Sequence, residues 1–256
     1  MSWRRLRIVL DLLLIIIVIF ISIESKKNVN AISVNLDEHP IYSVDTEEKA
    51  ISLTFDINWA EKDNLKSILQ ILDKYNVKGT FFIMGGWVNH SSDNVKKLKE
   101  INEGGHEIGN HSYKHPDFIK INETKLEEEL KKTDEIIENN IGKKPKLFRF
   151  PSGSYNKQAV QRVKTLGYIP IQWNVDSVDW RERGQEKEYS RVMKGVAPGA
   201  ILLFHNNAKY TPANLERIIK ELKSQGYEFK TIGDLIYSKE YYIDENGIQH
   251  KKNNKD

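Results

Sequence analysis

From residue 50 almost to the end of the chain, short apolar runs rich in β-branched and aromatic residues alternate with charged amphipathic segments, and that alternation admits few folds. Ala50-Ile-Ser-Leu-Thr-Phe55 reads as a strand. The segment 62–75 places Leu65, Ile68, Leu69 and Leu72 at helical spacing, and Gly79-Thr-Phe-Phe-Ile83 returns to a strand. The pattern then predicts a helix over 93–103, a short strand over 107–109, a long helix over 123–140 and a strand over 147–150 stopped by Pro151. Helices over 157–166, 189–196 and 213–225 alternate with strands over 169–175, 200–204 and 228–230. Such regular exchange implies parallel strands with helices outside them, in either a barrel or a doubly wound sheet.

The first residues bear on compartment rather than fold. Trp3-Arg4-Arg5-Leu6-Arg7 precedes an almost uninterrupted apolar run from Ile8 to Ile23, so residues 1–25 are expected to be a membrane anchor or signal segment and 26–46 a linker. About a dozen apolar residues, each favourable by roughly 0.3–0.6 kcal/mol, offset Asp11, which costs at most ~3 kcal/mol. The run is shorter than the ~20 residues of a comfortable span, so cleavage near Val29-Asn30-Ala31 competes with anchoring. The basic flank keeps the N-terminus inside. The expectation is therefore a single-pass cell-membrane protein with its main domain extracytoplasmic or, after cleavage, a secreted one.

Composition narrows the chemistry. The 39 Lys and Arg residues against 36 Asp and Glu leave no excess for a dedicated nucleic-acid surface, so no nucleic-acid partner is expected. The absence of cysteine excludes disulfides and thiolate metal sites and leaves any metal to histidine, carboxylate and water. One domain is expected over 47–237, followed by a polar, frayed C-terminal tail over 238–256.

With the strands placed, chemically capable side chains collect at strand ends, in the loops a parallel barrel gathers on one face. Asp56 closes the first core strand in Thr54-Phe55-Asp56. His111 and His115 follow the short strand near residue 108, at a spacing that lets two imidazoles aim at one divalent cation. Arg149-Phe-Pro-Ser-Gly153, Asp176-Ser-Val-Asp179-Trp180 and Leu203-Phe204-His205 follow later strands.

Taken in this order, the five motifs resemble those of the polysaccharide deacetylase (NodB-homology, carbohydrate esterase four) family over residues 47–236. The resemblance implies a distorted (β/α) barrel. It implies that Asp56 is the general base, that His111 and His115 hold a divalent metal, zinc by expectation, and that His205 is the general acid. Arg149 would fix Asp56, and the backbone N–H of Ser152 would donate to the oxyanion. Asp176 or Asp179 would partner the acid or the arginine. Trp180, Tyr155 and Leu203 would form the substrate groove, with Trp59 and Trp87 as further rings that could stack on sugars.

One position departs from the family's pattern: the second of its paired aspartates, a metal ligand, is replaced here by Ile57. Asp56 or Asn58 is then the candidate third ligand, and metal affinity is expected to fall. The stretch Thr54-Phe-Asp-Ile-Asn-Trp59 is closest to the sporulation-associated PdaB type, which shares that replacement. The expected function is a metal-dependent N-deacetylase of an envelope glycan such as peptidoglycan. The alternative is a weak or inactive glycan-binding envelope or spore protein on the same fold.

Overall fold

Strand β2 (Ala50–Ile57) is the axis of the computed structural model, and all eight of its residues are buried. The structure describes Trp3 and residues 38–252. The expected anchor or signal segment lies outside the described residues, among which no helix is long and apolar enough to cross a membrane.

Parallel pairing extends from β2 in both directions. On one side come β3 (Thr80–Ile83), β4 (Glu107–Asn110), β5 (Leu147–Phe148) and β6 (Ile169–Pro170); on the other come β8 (Ile201–His205) and β7 (Val175–Asp176). A further short strand, β9 (Glu228–Phe229), pairs with the start of β2. Helices connect these strands and cover the outer face, giving the distorted (β/α) barrel that the resemblance implies, with the parallel strands that the alternation predicts. The expected strand over 169–175 is two short strands separated by an irregular turn, so the sheet does not close by direct β6–β7 pairing. Residues before β2 lie in the gap: Ile41 bridges to Ile171 and Ser43 to Ala200.

Period-two alternation sorts β2 into two faces. Ile51, Leu53, Phe55 and Ile57 share a core with Leu65, Ile68 and Leu72 of the helix Leu65–Lys74. Ser52, Thr54 and Asp56 occupy the other face, inside the barrel, and are also buried. Two stacked ring pairs, Phe55–Phe81 and Phe55–Phe204, join three adjacent strands on the helix-covered face.

The C-terminal expectation is corrected. Residues 241–243 and 248–251 are not frayed; they form β10 (Tyr241–Ile243) and β11 (Ile248–Lys251) of a three-stranded sheet, in which β11 pairs in parallel with β1 (Ser43–Val44). Asp244-Glu-Asn-Gly247 makes the hairpin turn between them, with Gly247 at φ 78° where a side chain would be strained. Gln249 is wholly buried and exchanges two hydrogen bonds of 2.8 Å with the Tyr237 backbone.

Candidate active site

The strand register brings the sequence-predicted groups to one end of the barrel. Asp56 lies beside His205 on β8 and beside Phe82 on β3, and Asn110, which pairs with Ile83, leads directly into His111.

Among the described residues Arg149 is the largest wholly buried side chain. One guanidinium nitrogen donates to both Asp56 Oδ1 and Thr54 Oγ1 at 2.9 Å, and the other donates to the Gln172 carbonyl at 3.0 Å. Phe82 stacks beneath it, with the guanidinium carbon 4.0 Å from the ring centroid. Burial by itself would raise the Asp56 pKa. The charges of His111, Arg149 and His205 outweigh burial and hold Asp56 below the usual carboxylate range. Of these, Arg149 keeps its charge at every accessible pH.

His111 and His115 sit in a tight loop rather than on a helix. Ser112 and His115 both have positive φ, 65° and 58°, a conformation that costs a non-glycine residue about 1 kcal/mol or more. Buried Glu129 holds that loop by accepting from the N–H groups of Tyr113 and Lys114 at 2.9 and 2.6 Å. Asn110 accepts from the Ser112 N–H while its amide donates to the Leu130 carbonyl and Asp134. The imidazoles of His111 and His115 lie 5.0 Å apart, centroid to centroid.

His111 shows how these rings fit a cation. Its Nδ1 is 3.0 Å from the Arg149 carbonyl, which only an N–H can satisfy, so Nε2 carries the lone pair. That Nε2 is buried, has no hydrogen-bond partner and lies 3.5 Å from Asp56 Oδ2. Burial pulls the His111 pKa down to about 4, keeping the ring neutral as a ligand must be. The pair fits a divalent cation, but as an incomplete set: among the described residues no three or more His, Cys, Asp or Glu side chains converge as a metal group.

Position 57 explains the shortfall. Ile57 faces away from Asp56 and is wholly buried in the core with Leu53, Phe55 and Ile83, so the residue after Asp56 is committed to packing and supplies no third ligand. Asn58, the other candidate ligand, is tied through its backbone: its N–H donates to Asn206 Oδ1 at 3.0 Å and its carbonyl accepts from the Asn206 amide at 3.3 Å. Its own Oδ1 has no partner.

The His205 side is a closed network. Asp179 Oδ1 lies 2.7 Å from His205 Nδ1, and its Oδ2 accepts from the His205 N–H at 2.9 Å and from Thr211 Oγ1 at 2.6 Å. Burial would lower the His205 pKa, but the hydrogen bond and charge of Asp179 outweigh it and raise the value. Between the two candidate partners, the geometry selects Asp179. Asp176 instead accepts from the Val178 N–H and shapes the loop.

Two elements remain. Ser152 adopts φ 54°, ψ 17° in a short turn that Gly153 and Ser154 close by donating to Phe150 and Pro151; the Ser152 N–H takes no part in those two bonds. The expected groove residues divide. Trp180 is 54% and Trp59 49% exposed, as walls must be, whereas Trp87 and Leu203 are buried. Tyr155 packs on Phe150 and its hydroxyl bonds to that of Tyr42 at 2.9 Å, which makes it a support for the arginine loop.

Comparison with known proteins follows from this geometry. The model of the family described as Polysaccharide deacetylase matches residues 43–171. The chain belongs to the polysaccharide deacetylase family. It is 36% identical to the peptidoglycan-N-acetylmuramic acid deacetylase PdaA of Bacillus subtilis over 203 residues, 78% of this chain and 76% of PdaA. It is also 36% identical to the uncharacterized protein YlxY of the same organism, spanning 79% of this chain and 62% of YlxY. Among solved structures it resembles wild-type BA3943 of Bacillus anthracis, described as a pseudoenzyme of carbohydrate esterase family four, with TM-score 0.73 and 33% identity over 84% of this chain and 73% of that one. A mutant of BA3943 is described as having restored enzymatic activity.

Glu129, Asn110, Thr211 and Asn206 were not singled out by motif reading. For Glu129 a signal exists: it sits among Leu126, Leu130, Thr133 and Ile137 on the buried stripe of the helix Glu123–Ile141, where a carboxylate needs a dedicated partner. Thr211, by contrast, opens a helix as many threonines do, and nothing local marks it as a partner of Asp179.

Proposed function

We propose that this protein is a metal-dependent N-deacetylase of an N-acetylated envelope glycan, peptidoglycan by its kinship with PdaA. The observation that carries the proposal is the presence of two separate proton-handling groups on one barrel end: Asp56, whose carboxylate form Arg149 favours, and His205, whose protonated form Asp179 favours. Amide hydrolysis needs both, because water must lose a proton as it attacks and the departing amine must gain one.

Asp56 takes the proton from the attacking water, and Arg149 holds its carboxylate in place. The Ser152 N–H donates to the oxygen that gains charge. His205 delivers a proton to the leaving nitrogen, with Asp179 fixing its tautomer and orientation. A divalent cation, zinc by the nature of the donors, would be held by His111 and His115 with Asp56 beside them, and supplies Lewis acidity that makes an unactivated amide reactive. Trp180 and Trp59 present exposed rings to the sugar. The basic and apolar N-terminal residues would tether this domain to the outer face of the cell membrane.

A second reading rests on Ile57. With packing in place of a ligand, and with likeness to a described pseudoenzyme, the barrel would hold glycan without turning it over. Zinc content and acetate release, measured together on the full-length protein with peptidoglycan as substrate, separate the two. Acetate release that tracks zinc occupancy supports the deacetylase. Glycan binding with no acetate release at full zinc occupancy supports the second reading.

A further inference from the structure

Beside the acid pair lies a cavity of about 440 Å³, walled by the loop that carries Asp179 and Trp180 and by the helix Gln185–Gly195. Its volume suits a sugar unit with a substituent. Four cations line it, Arg181, Arg183, Lys187 and Arg191, against two carboxylates, Asp176 and Glu188.

Among the described residues, none of the four cations forms an ion pair, although Glu186 on the same helix pairs with Arg217 of the helix Thr211–Ser224. Arg191 donates only to the Asp176 backbone carbonyl, and Arg181 lies over the Trp180 ring at 4.5 Å. A second basic cavity, near Lys143 and Lys144, differs: Lys144 is committed to Asp134 at 3.2 Å.

The floor adds a second, independent observation. Glu188 is 4% exposed, and neither carboxyl oxygen makes a hydrogen bond. Burial, and after it the charges of Asp179 and Glu182, push its pKa up to about 7; the Asn214 amide and Gly184 N–H moderate the rise without reaching hydrogen-bonding geometry. The protonated form of such a carboxyl, populated near neutral pH, donates a hydrogen bond to an incoming oxyanion instead of repelling it. Four cations without a carboxylate partner, lining one cavity with an unpartnered buried acid, make a receptor for a negatively charged group.

We propose that this cavity is a subsite for a carboxylate carried by the glycan strand, seated next to the sugar whose acetamide faces His205. The inference rests on the glycan reading above and deepens it: the substrate is a strand containing sugar acids, not a neutral N-acetylated polymer. Trp180 belongs to both the cavity and the exposed wall, so a strand lying on its ring reaches the two sites together.

The test is binding by the full-length protein in detergent with chelator present, so that its result does not depend on catalysis. Three probes of equal length are compared: a glycan strand bearing muramic carboxylates, a neutral N-acetylglucosamine oligomer and a polyol-phosphate oligomer. The wild-type protein is expected to bind the carboxylate strand about tenfold more tightly than the neutral oligomer at low salt, a gap that closes as salt is raised. The R183Q/K187Q variant changes two exposed side chains, and is expected to lose that gap while holding the neutral oligomer as before. Equal affinity for the charged and neutral strands, or a gap that survives in the variant, would overturn the proposal. Tighter binding of the polyol phosphate than of the carboxylate strand would overturn the assigned source of the anion. Failure to release acetate bears only on the deacetylase reading.

Discussion

The two halves of the site are built to different standards of closure. Around His205, Asp179 uses both oxygens in four hydrogen bonds, to the His205 ring and N–H, to Thr211 and to the Trp180 N–H. Around His111, the ring that would bind a cation ends in an unpartnered buried nitrogen, and the strand end beside it buries an isoleucine. Proton transfer is supported by the fold itself; cation binding is left to a pair of imidazoles. The two halves therefore differ in how completely a cation would be held, not in how firmly Asp56 and His205 are fixed.

The largest effect should come from the weaker half. His115→Ala is expected to abolish zinc retention, read by metal analysis, and with it all acetate release, since one imidazole cannot hold the ion. His111→Ala should do the same but also lower the melting temperature, because that ring is wholly buried and its loss leaves a cavity. Undiminished zinc in the double variant would remove the metal from this loop.

Next comes the closed half. His205→Ala is expected to reduce kcat about 10²- to 10⁴-fold with KM nearly unchanged, as befits a group acting in the transition state. A change confined to KM would make His205 a binding residue and dissolve the contrast between the halves.

Ile57→Asp sharpens the comparison directly. In the metal-free protein a carboxylate at this core position is expected to cost about 2–4 kcal/mol. Added zinc should restore part of the lost melting temperature as the new ligand is drawn round to the imidazoles. No zinc-dependent recovery would show that the end of β2 keeps its outward register even when a cation is offered.

Smaller shifts should appear in pH profiles. The folded-state pKa of His205 is raised, so its protonated form, and the stability contributed by its pairing with Asp179, is complete below the ordinary histidine value. Both are lost as pH rises through the raised value. Asp179→Asn removes the cause, so the alkaline limb of the kcat profile should move to lower pH; an unmoved limb would mean another group sets it. Smallest is Thr211→Val, expected to cost about 1 kcal/mol in chemical denaturation by deleting one of Asp179's donors.

Much of this was legible before any coordinates. The alternation of Ala50–Phe55 and its successors gave parallel strands with helices outside them, because buried parallel strands need continuous apolar runs and helices between them, and the family resemblance chose the barrel over the doubly wound sheet. The five motifs converged because each ends a strand. What escaped had physical reasons. Ile57 reads as a missing ligand in sequence, yet the pleat of β2 turns it into the core, which only register reveals. Glu129 was hidden because a carboxylate inside a long charged helix looks like one more solvated residue. The terminal hairpin was passed over because Tyr241–Lys251 is polar and its pairing partner lies some two hundred residues away, although Asp244-Glu-Asn-Gly247 is a sound turn signal.

That hairpin sets how the barrel bears load. Backbone bonds from Tyr42 to Gly247 and from Asp45 to Gln249, with the Asp45–His250 pair at 2.8 Å, fasten β1 to β11, the first and last strands among the described residues. Any pull arriving through the residues before Pro40 meets this parallel pair lengthwise, so several hydrogen bonds must break together rather than one after another. The seam also needs Gly247, Gln249 and His250, so during synthesis Tyr42 stays unpaired until some two hundred further residues have been added.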